Sequence, residues 1–199
     1  MAMKVFPAHR RDREKVKRRV QEEVDILRRI MGNYHIVEFK HAFTDPRGFC
    51  VLVTPVADYD LAVFYEYCTT EAYAESILEP LRKWFSCLAY GLEFIHSHRI
   101  RHKDIKPQNI LVKDGNVLFA DFGLAKDFTS SDGMTSTTEG YTQKTPMYAA
   151  PEAHYQGIRR YSADIFSLGC VFAELSTLLG YESVSNFFDF RVKRRDYGV

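Results

Sequence analysis

The spacing of apolar positions changes several times along the chain. Val16, Val20, Val24 and Leu27 recur three and four residues apart. That spacing lines one side of a helix with 3.6 residues per turn, and predicts a single amphipathic helix growing out of the charge-dense stretch 9–19. The basic residues there read as a solvated face. Two apolar runs, IVEFKHAF and GFCVLVTPV, follow in 36–56, separated by Thr44-Asp45-Pro46-Arg47-Gly48. Turn-forming residues between strand-like runs predict a hairpin. From about Glu71 to Ser97, Leu81, Trp84, Phe85, Leu88, Leu92 and Ile95 keep one face apolar. We read this as one long helix whose apolar face is core. Ile110-Leu111-Val112 reads as a strand. The segment 162–177, SADIFSLGCVFAELST, reads as an amphipathic to wholly apolar helix capped by Ser162. No structure is assigned to 181–199.

Composition bounds the class. Apolar residues make up 46% and aromatics 14%, with 11 glycines and 7 prolines, which excludes a disordered or collagen-like chain. With 27 basic and 26 acidic residues the formal charge is +1, so no whole-molecule field draws nucleic acid or an acidic membrane. Cys50, Cys68, Cys87 and Cys170 are scattered, without the close pairs of a zinc site or a redox motif, and are expected as free thiols. Neither a signal peptide nor a run fit to span a membrane is expected, which suggests a reducing intracellular compartment, cytoplasm or nucleus.

The chemistry concentrates in 100–112, IRHKDIKPQNILV, where Asp104, Lys106 and Asn109 stand at fixed offsets between a helical pattern and a strand. Asp121-Phe122-Gly123 and Ala150-Pro151-Glu152 follow it. In this order and spacing the three signatures resemble a eukaryotic protein kinase of the serine/threonine type. The implied fold is α+β, protein-kinase-like and bilobal. Residues 1–57 would form a partial small lobe that starts at the Ala-x-Lys strand. Residues 58–180 would form a partial large lobe that ends after the family's buried central helix αF, with 181–199 as a tail.

The resemblance also implies roles. In Ala2-Met3-Lys4-Val5, Lys4 would hold the ATP phosphates. Glu23, three and four residues before Ile26 and Leu27, would pair with it. Thr54 and Val56 would meet adenine through their backbone, with Val53 as a small gatekeeper beside them, and Leu111 would also bind the nucleotide. Asp104 would accept the substrate hydroxyl's hydrogen bond, and Lys106 would neutralise the moving phosphoryl group. Asn109 and Asp121 would bind Mg²⁺, a hard cation that takes oxygen ligands. Thr145 would contact Asp104 and Lys106. Asp164 would hold the catalytic-loop backbone.

Two departures from the pattern matter. The usual His-Arg-Asp is His102-Lys103-Asp104 here, and lysine keeps the charge of arginine without its planar fork. Activation by phosphate on the hydroxyl-rich stretch 129–142, delivered by an upstream kinase, is therefore weakened or unnecessary. Only Met1, Ala2 and Met3 precede Lys4, so the resemblance implies that the family's glycine-rich loop is missing from this stretch, and it spans roughly two-thirds of a complete domain. Three readings stay open: an ATP- and Mg²⁺-dependent kinase of protein Ser/Thr hydroxyls present as a fragment, a pseudokinase or regulatory binding module, and a non-functional truncation product.

Overall fold

The computed structural model describes residues 1–127, 146–151 and 161–196. Its first layer is an antiparallel sheet of β1 (Ala2–Pro7), β2 (Glu38–Asp45) and β3 (Gly48–Thr54), in the order β1-β3-β2. The hairpin predicted from the turn residues is β2–β3. Gly48 starts its second strand at φ 142°, and a Cβ there would meet the Phe6 carbonyl oxygen at 2.2 Å, so only glycine fits. Lys4 stands opposite Val51 on β1, an edge strand.

Helix α1 (Arg13–Arg29) packs on this sheet with Val20, Glu23, Val24, Ile26 and Leu27 buried. Arg10, Arg11, Lys15, Lys17 and Arg18 are exposed, as a solvated face requires.

The second layer has β4 (Tyr59–Asp60), β6 (Ile110–Lys113) and β7 (Asn116–Phe119) in the order β4-β6-β7, and a small pair of β5 (Ile100–Arg101) with β8 (Lys126–Asp127). Helices α2 (Leu61–Thr70), α3 (Glu75–Leu78), α4 (Leu81–Ser97), α5 (Tyr161–Leu179) and α6 (Val184–Asp196) complete it.

The single helix expected over 71–97 is divided. Glu75–Leu78 and Leu81–Ser97 are separate helices with Pro80 between them, because proline has no N–H to continue the ladder. Positive φ at Ala72 and Tyr73 makes the turn before α3. The sequence reading missed α2, although Leu61, Phe64, Tyr65 and Cys68 keep helical spacing behind Asp60, whose side chain caps the Val63 N–H. Ser162 does not cap α5, which already starts at Tyr161. Part of the unassigned tail forms α6, opened by Ser183, whose Oγ accepts the N–H groups of Ser185 and Asn186.

Helix α5 also corrects the expectation about membrane spans, since at 19 residues it is long and apolar enough to cross one. Its packing explains the composition. Leu168, Val171, Leu175 and Leu178 are buried in the same hydrophobic cluster as Leu27, Val51, Leu92, Phe119 and Phe122. Gly91 lets α4 approach β7, for a Cβ there would sit 3.1 Å from the Phe119 ring. The four cysteines are free, as expected, and all but Cys87 are buried.

Candidate active site

Two groups of side chains meet where the layers join. In the first, Lys4 Nζ donates to Glu23 Oε1 at 2.7 Å and to Asp121 Oδ1 at 2.6 Å. The ion pair expected between Lys4 on β1 and Glu23 on α1 is therefore present. Burial pushes the Glu23 carboxyl above its ordinary range, and the Lys4 ammonium only partly offsets this. Burial would raise Asp121 too, but the Lys4 charge and hydrogen bond outweigh it and hold that carboxyl low.

In the second group, Lys106 Nζ lies 2.7 Å from Asp104 Oδ2. Asn109 Nδ2 donates to the Asp104 backbone oxygen at 2.7 Å and to Oδ2 at 2.8 Å. The short 3₁₀ turn Pro107–Asn109 makes this possible by folding Asn109 back over the loop.

Ala120 joins the groups. Its N–H donates to the Asn109 carbonyl at 2.9 Å, and its carbonyl accepts from His102 Nε2 at 2.9 Å. Asp121, the next residue, is thereby tied to the catalytic loop. The bond to a carbonyl makes Nε2 the protonated nitrogen, and complete burial holds the His102 pKa low, so the ring is neutral. The Phe122 ring packs against it, tilted, with centroids 4.8 Å apart, and is itself buried.

The backbone here is strained. Lys103 has φ 70° and Asp121 φ 59°, left-handed values that a side chain makes costly, about 1–3 kcal/mol each. Asp164 on α5 offsets the first: its Oδ2 accepts the His102 N–H and its Oδ1 the Lys103 N–H, both at 2.9 Å. His96, near the end of α4, bonds Asp164 Oδ2 at 3.0 Å. Burial would raise this carboxyl, but the hydrogen bonds from His96 and the Lys103 amide hold it below its ordinary range. The role expected for Asp164 is the geometry found. His96 was not foreseen, because no spacing distinguishes it from His98.

The remaining candidates lie apart from these contacts. Thr54 ends β3, three residues past the partner of Lys4, so about 10 Å along the strand. Val56 is exposed just beyond it, and Leu111 is half-buried on β6. An open cleft of about 820 Å³ lined by Tyr34, His35, Thr54, Pro55 and Lys113 contains none of Lys4, Asp104, Asn109 or Asp121. Thr145, Glu152 and the stretch 129–142 lie outside the described residues.

The donor set fits the implied nucleotide and cation. The described contacts of Asp121 use Oδ1, and the side-chain contacts of Asn109 use Nδ2, so a carboxylate and an amide oxygen remain as hard ligands. Mg²⁺ sites of this kind use one or two protein groups and complete their shell with water and phosphate. That agrees with there being, among the described residues, no cluster of three His, Cys, Asp or Glu side chains.

Comparison with known proteins gives the same direction. The family model "Protein kinase domain" matches residues 1–185. The chain is 33% identical over 159 residues to serine/threonine-protein kinase TIO of Arabidopsis thaliana, covering 78% of this chain and 11% of that protein. It is 31% identical over 170 residues to serine/threonine-protein kinase Nek3 of Oryza sativa subsp. japonica, covering 84% and 28%. With serine/threonine-protein kinase Nek6 of the same plant it shares 32% over 164 residues, covering 81% and 29%. The chain thus spans between about a tenth and three-tenths of the length of these relatives. A Lys4–Glu23–Asp121 group, a catalytic loop held by Asp164 and a family match over 185 residues place the chain in the serine/threonine protein kinase family.

Proposed function

We propose that this chain carries the catalytic centre of an intracellular protein serine/threonine kinase that transfers the γ-phosphate of ATP to protein hydroxyls. The observation that carries this reading is the pairing of Lys4 with both Glu23 and Asp121, two residues that sequence separates by 98 positions and the fold joins on one ammonium. Proteins seldom gather such charges at a partly buried site without a task for them.

In this reading Asp104 receives the substrate hydroxyl. Lys106 and Asn109 both bond its Oδ2, which fixes the carboxylate and leaves Oδ1 as an acceptor. Lys106 places a positive charge beside the transferring group, and Lys4 supplies another when it exchanges Asp121 for phosphate oxygens. Asn109 and Asp121 would hold Mg²⁺, which neutralises charge on the phosphates when bound. Most of the rate then comes from positioning, which explains why so many contacts orient so few groups.

The test is phosphate transfer from Mg-ATP to serine- and threonine-containing peptides, by the 1–199 chain and by a version extended at both ends, each with Asp104→Asn alongside. Transfer that Asp104→Asn lowers by about 10²–10⁴-fold supports the reading. Equal transfer by the variant rejects the assignment of Asp104. Nucleotide binding with no transfer from either version favours a regulatory binding module.

A further inference from the structure

Helix α5 carries more than the catalytic loop. Besides Asp164, it presents Ser167 and Glu174 to the short turn Pro146–Tyr148, where the described chain resumes after the segment that leaves Asp121 and Gly123. Ser167 Oγ donates to the Tyr148 carbonyl at 2.7 Å, and the Tyr148 hydroxyl donates to Glu174 Oε1 at 2.7 Å. Tyr65 of α2 donates to the other oxygen, Oε2, at 3.2 Å. One rigid helix therefore fixes both the loop with Asp104 and this turn.

A third attachment comes from outside the family match, which ends at residue 185. Arg191 on α6 reaches back with Nη2 to the Met147 carbonyl at 3.4 Å and to Cys170 Sγ at 3.8 Å, and its guanidinium lies 5.5 Å from the Phe187 ring one turn earlier. On the same helix Val184 packs against the hydrophobic core, whereas Phe188 and Phe190 are exposed. Among the described residues, Arg191 is thus the polar anchor of α6 on the body of the protein.

We propose that Arg191 is a positioning residue that holds the Pro146–Tyr148 turn at a fixed place relative to Asp104, and so sets how a protein substrate is received. The proposal rests on the kinase reading for its functional half. A peptide whose hydroxyl must reach Asp104 extends over neighbouring surface, and the turn shares the helix that carries the catalytic loop. A carbonyl held by a charged donor is held more firmly than by a neutral one. The same guanidinium also favours the ionised form of Glu174. Tyr65, Tyr148 and Arg191 face that carboxylate from the elements packed around it.

The experiment compares the wild-type chain with Arg191→Gln and Arg191→Lys in two readouts. Amide hydrogen exchange over 146–151 is expected to quicken about tenfold in Arg191→Gln, and less in Arg191→Lys, while exchange over α1 stays unchanged. In phosphate transfer, KM for the peptide is expected to rise several-fold in Arg191→Gln with KM for ATP unmoved. Unchanged exchange over 146–151 overturns the proposal, whether or not any variant transfers phosphate. Faster exchange with both KM values shifted together also overturns it, since that marks a structural role only. No transfer from the wild-type chain or from its version extended at both ends rejects the kinase reading, and the exchange result still decides whether Arg191 holds the turn.

Discussion

The Asp164 carboxylate accepts the backbone N–H of Lys103 at 2.9 Å across 61 residues of sequence, and with it the left-handed conformation of Lys103 is held in place. Asp164→Asn leaves one acceptor oxygen and turns the other position into a donor facing an amide donor. We expect a loss of about 2–4 kcal/mol in urea denaturation, since both the side chain and the amides it serves are withdrawn from water. The pH dependence has a definite sign. The folded pKa of Asp164 is depressed, so its contribution is present above the unfolded value, about 3.9, and is lost as pH falls through the folded one. The acid limb of the stability profile should therefore be shallower in Asp164→Asn.

Glu174 has the opposite sign. Burial pushes its pKa up to about 7, against the hydrogen bonds from Tyr148 and Tyr65 and the charge of Arg191. Between the unfolded value near 4.3 and about 7 the folded state holds more protons, so stability falls as pH rises through that window. The full span is at most about 4 kcal/mol. Denaturation measured from pH 5 to 8 should show this decline in the wild type and a flatter profile in Glu174→Gln. Parallel profiles would remove Glu174 as its source.

Lys4→Met removes the partner of a carboxylate that is 3% exposed. Glu23 would then be stranded, and we expect a loss of about 1–3 kcal/mol, the lower half being favoured because Lys4 is itself a third exposed. Asp121 should titrate at higher pH in the variant, having lost the charge that holds it low. On the kinase reading Mg-ATP raises the melting temperature of the wild type by mass action, and in the variant this shift should vanish. Retention of the shift would show that Lys4 does not meet nucleotide.

Gly48→Ala tests the hairpin. Its Cβ would meet the Phe6 carbonyl oxygen at 2.2 Å, in a backbone conformation that alanine avoids. Since the obstacle is main chain and cannot swing aside, β1 must shift along with it, and a loss of about 2–3 kcal/mol is expected from thermal or urea melts. Stability within 0.5 kcal/mol of wild type, roughly the noise of surface substitutions, would show that the strands slip instead.

Elements with a clean local period were legible. Val16, Val20, Val24 and Leu27 announce α1, and the two apolar runs around Asp45-Pro46-Arg47-Gly48 announce the hairpin. The break at Pro80 was also written in the chain, yet the apolar stripe on either side masked it, because the stripe continues in phase across the gap. Helix α6 carried almost no signal, since its contact with the body rests on Val184 and Arg191 while Phe188 and Phe190 remain exposed.

By itself the sequence determined the residue types and offsets that make a catalytic loop, and with them the family. Asp104, Lys106 and Asn109 lie within six residues, so their relation depends on local backbone geometry alone. Tertiary structure alone decided what those residues face. Lys4 and Asp121 are 117 positions apart, and no periodicity relates them; the packing of β1, α1 and β7 around one core brings them to 2.6 Å. The same holds for Tyr65, Tyr148 and Glu174, three unremarkable side chains in sequence that become one buried hydrogen-bonded group. Short-range chemistry is set by covalent spacing, whereas a charge or hydroxyl acquires its partner, and its pKa, only where burial removes water and leaves a neighbour in its place.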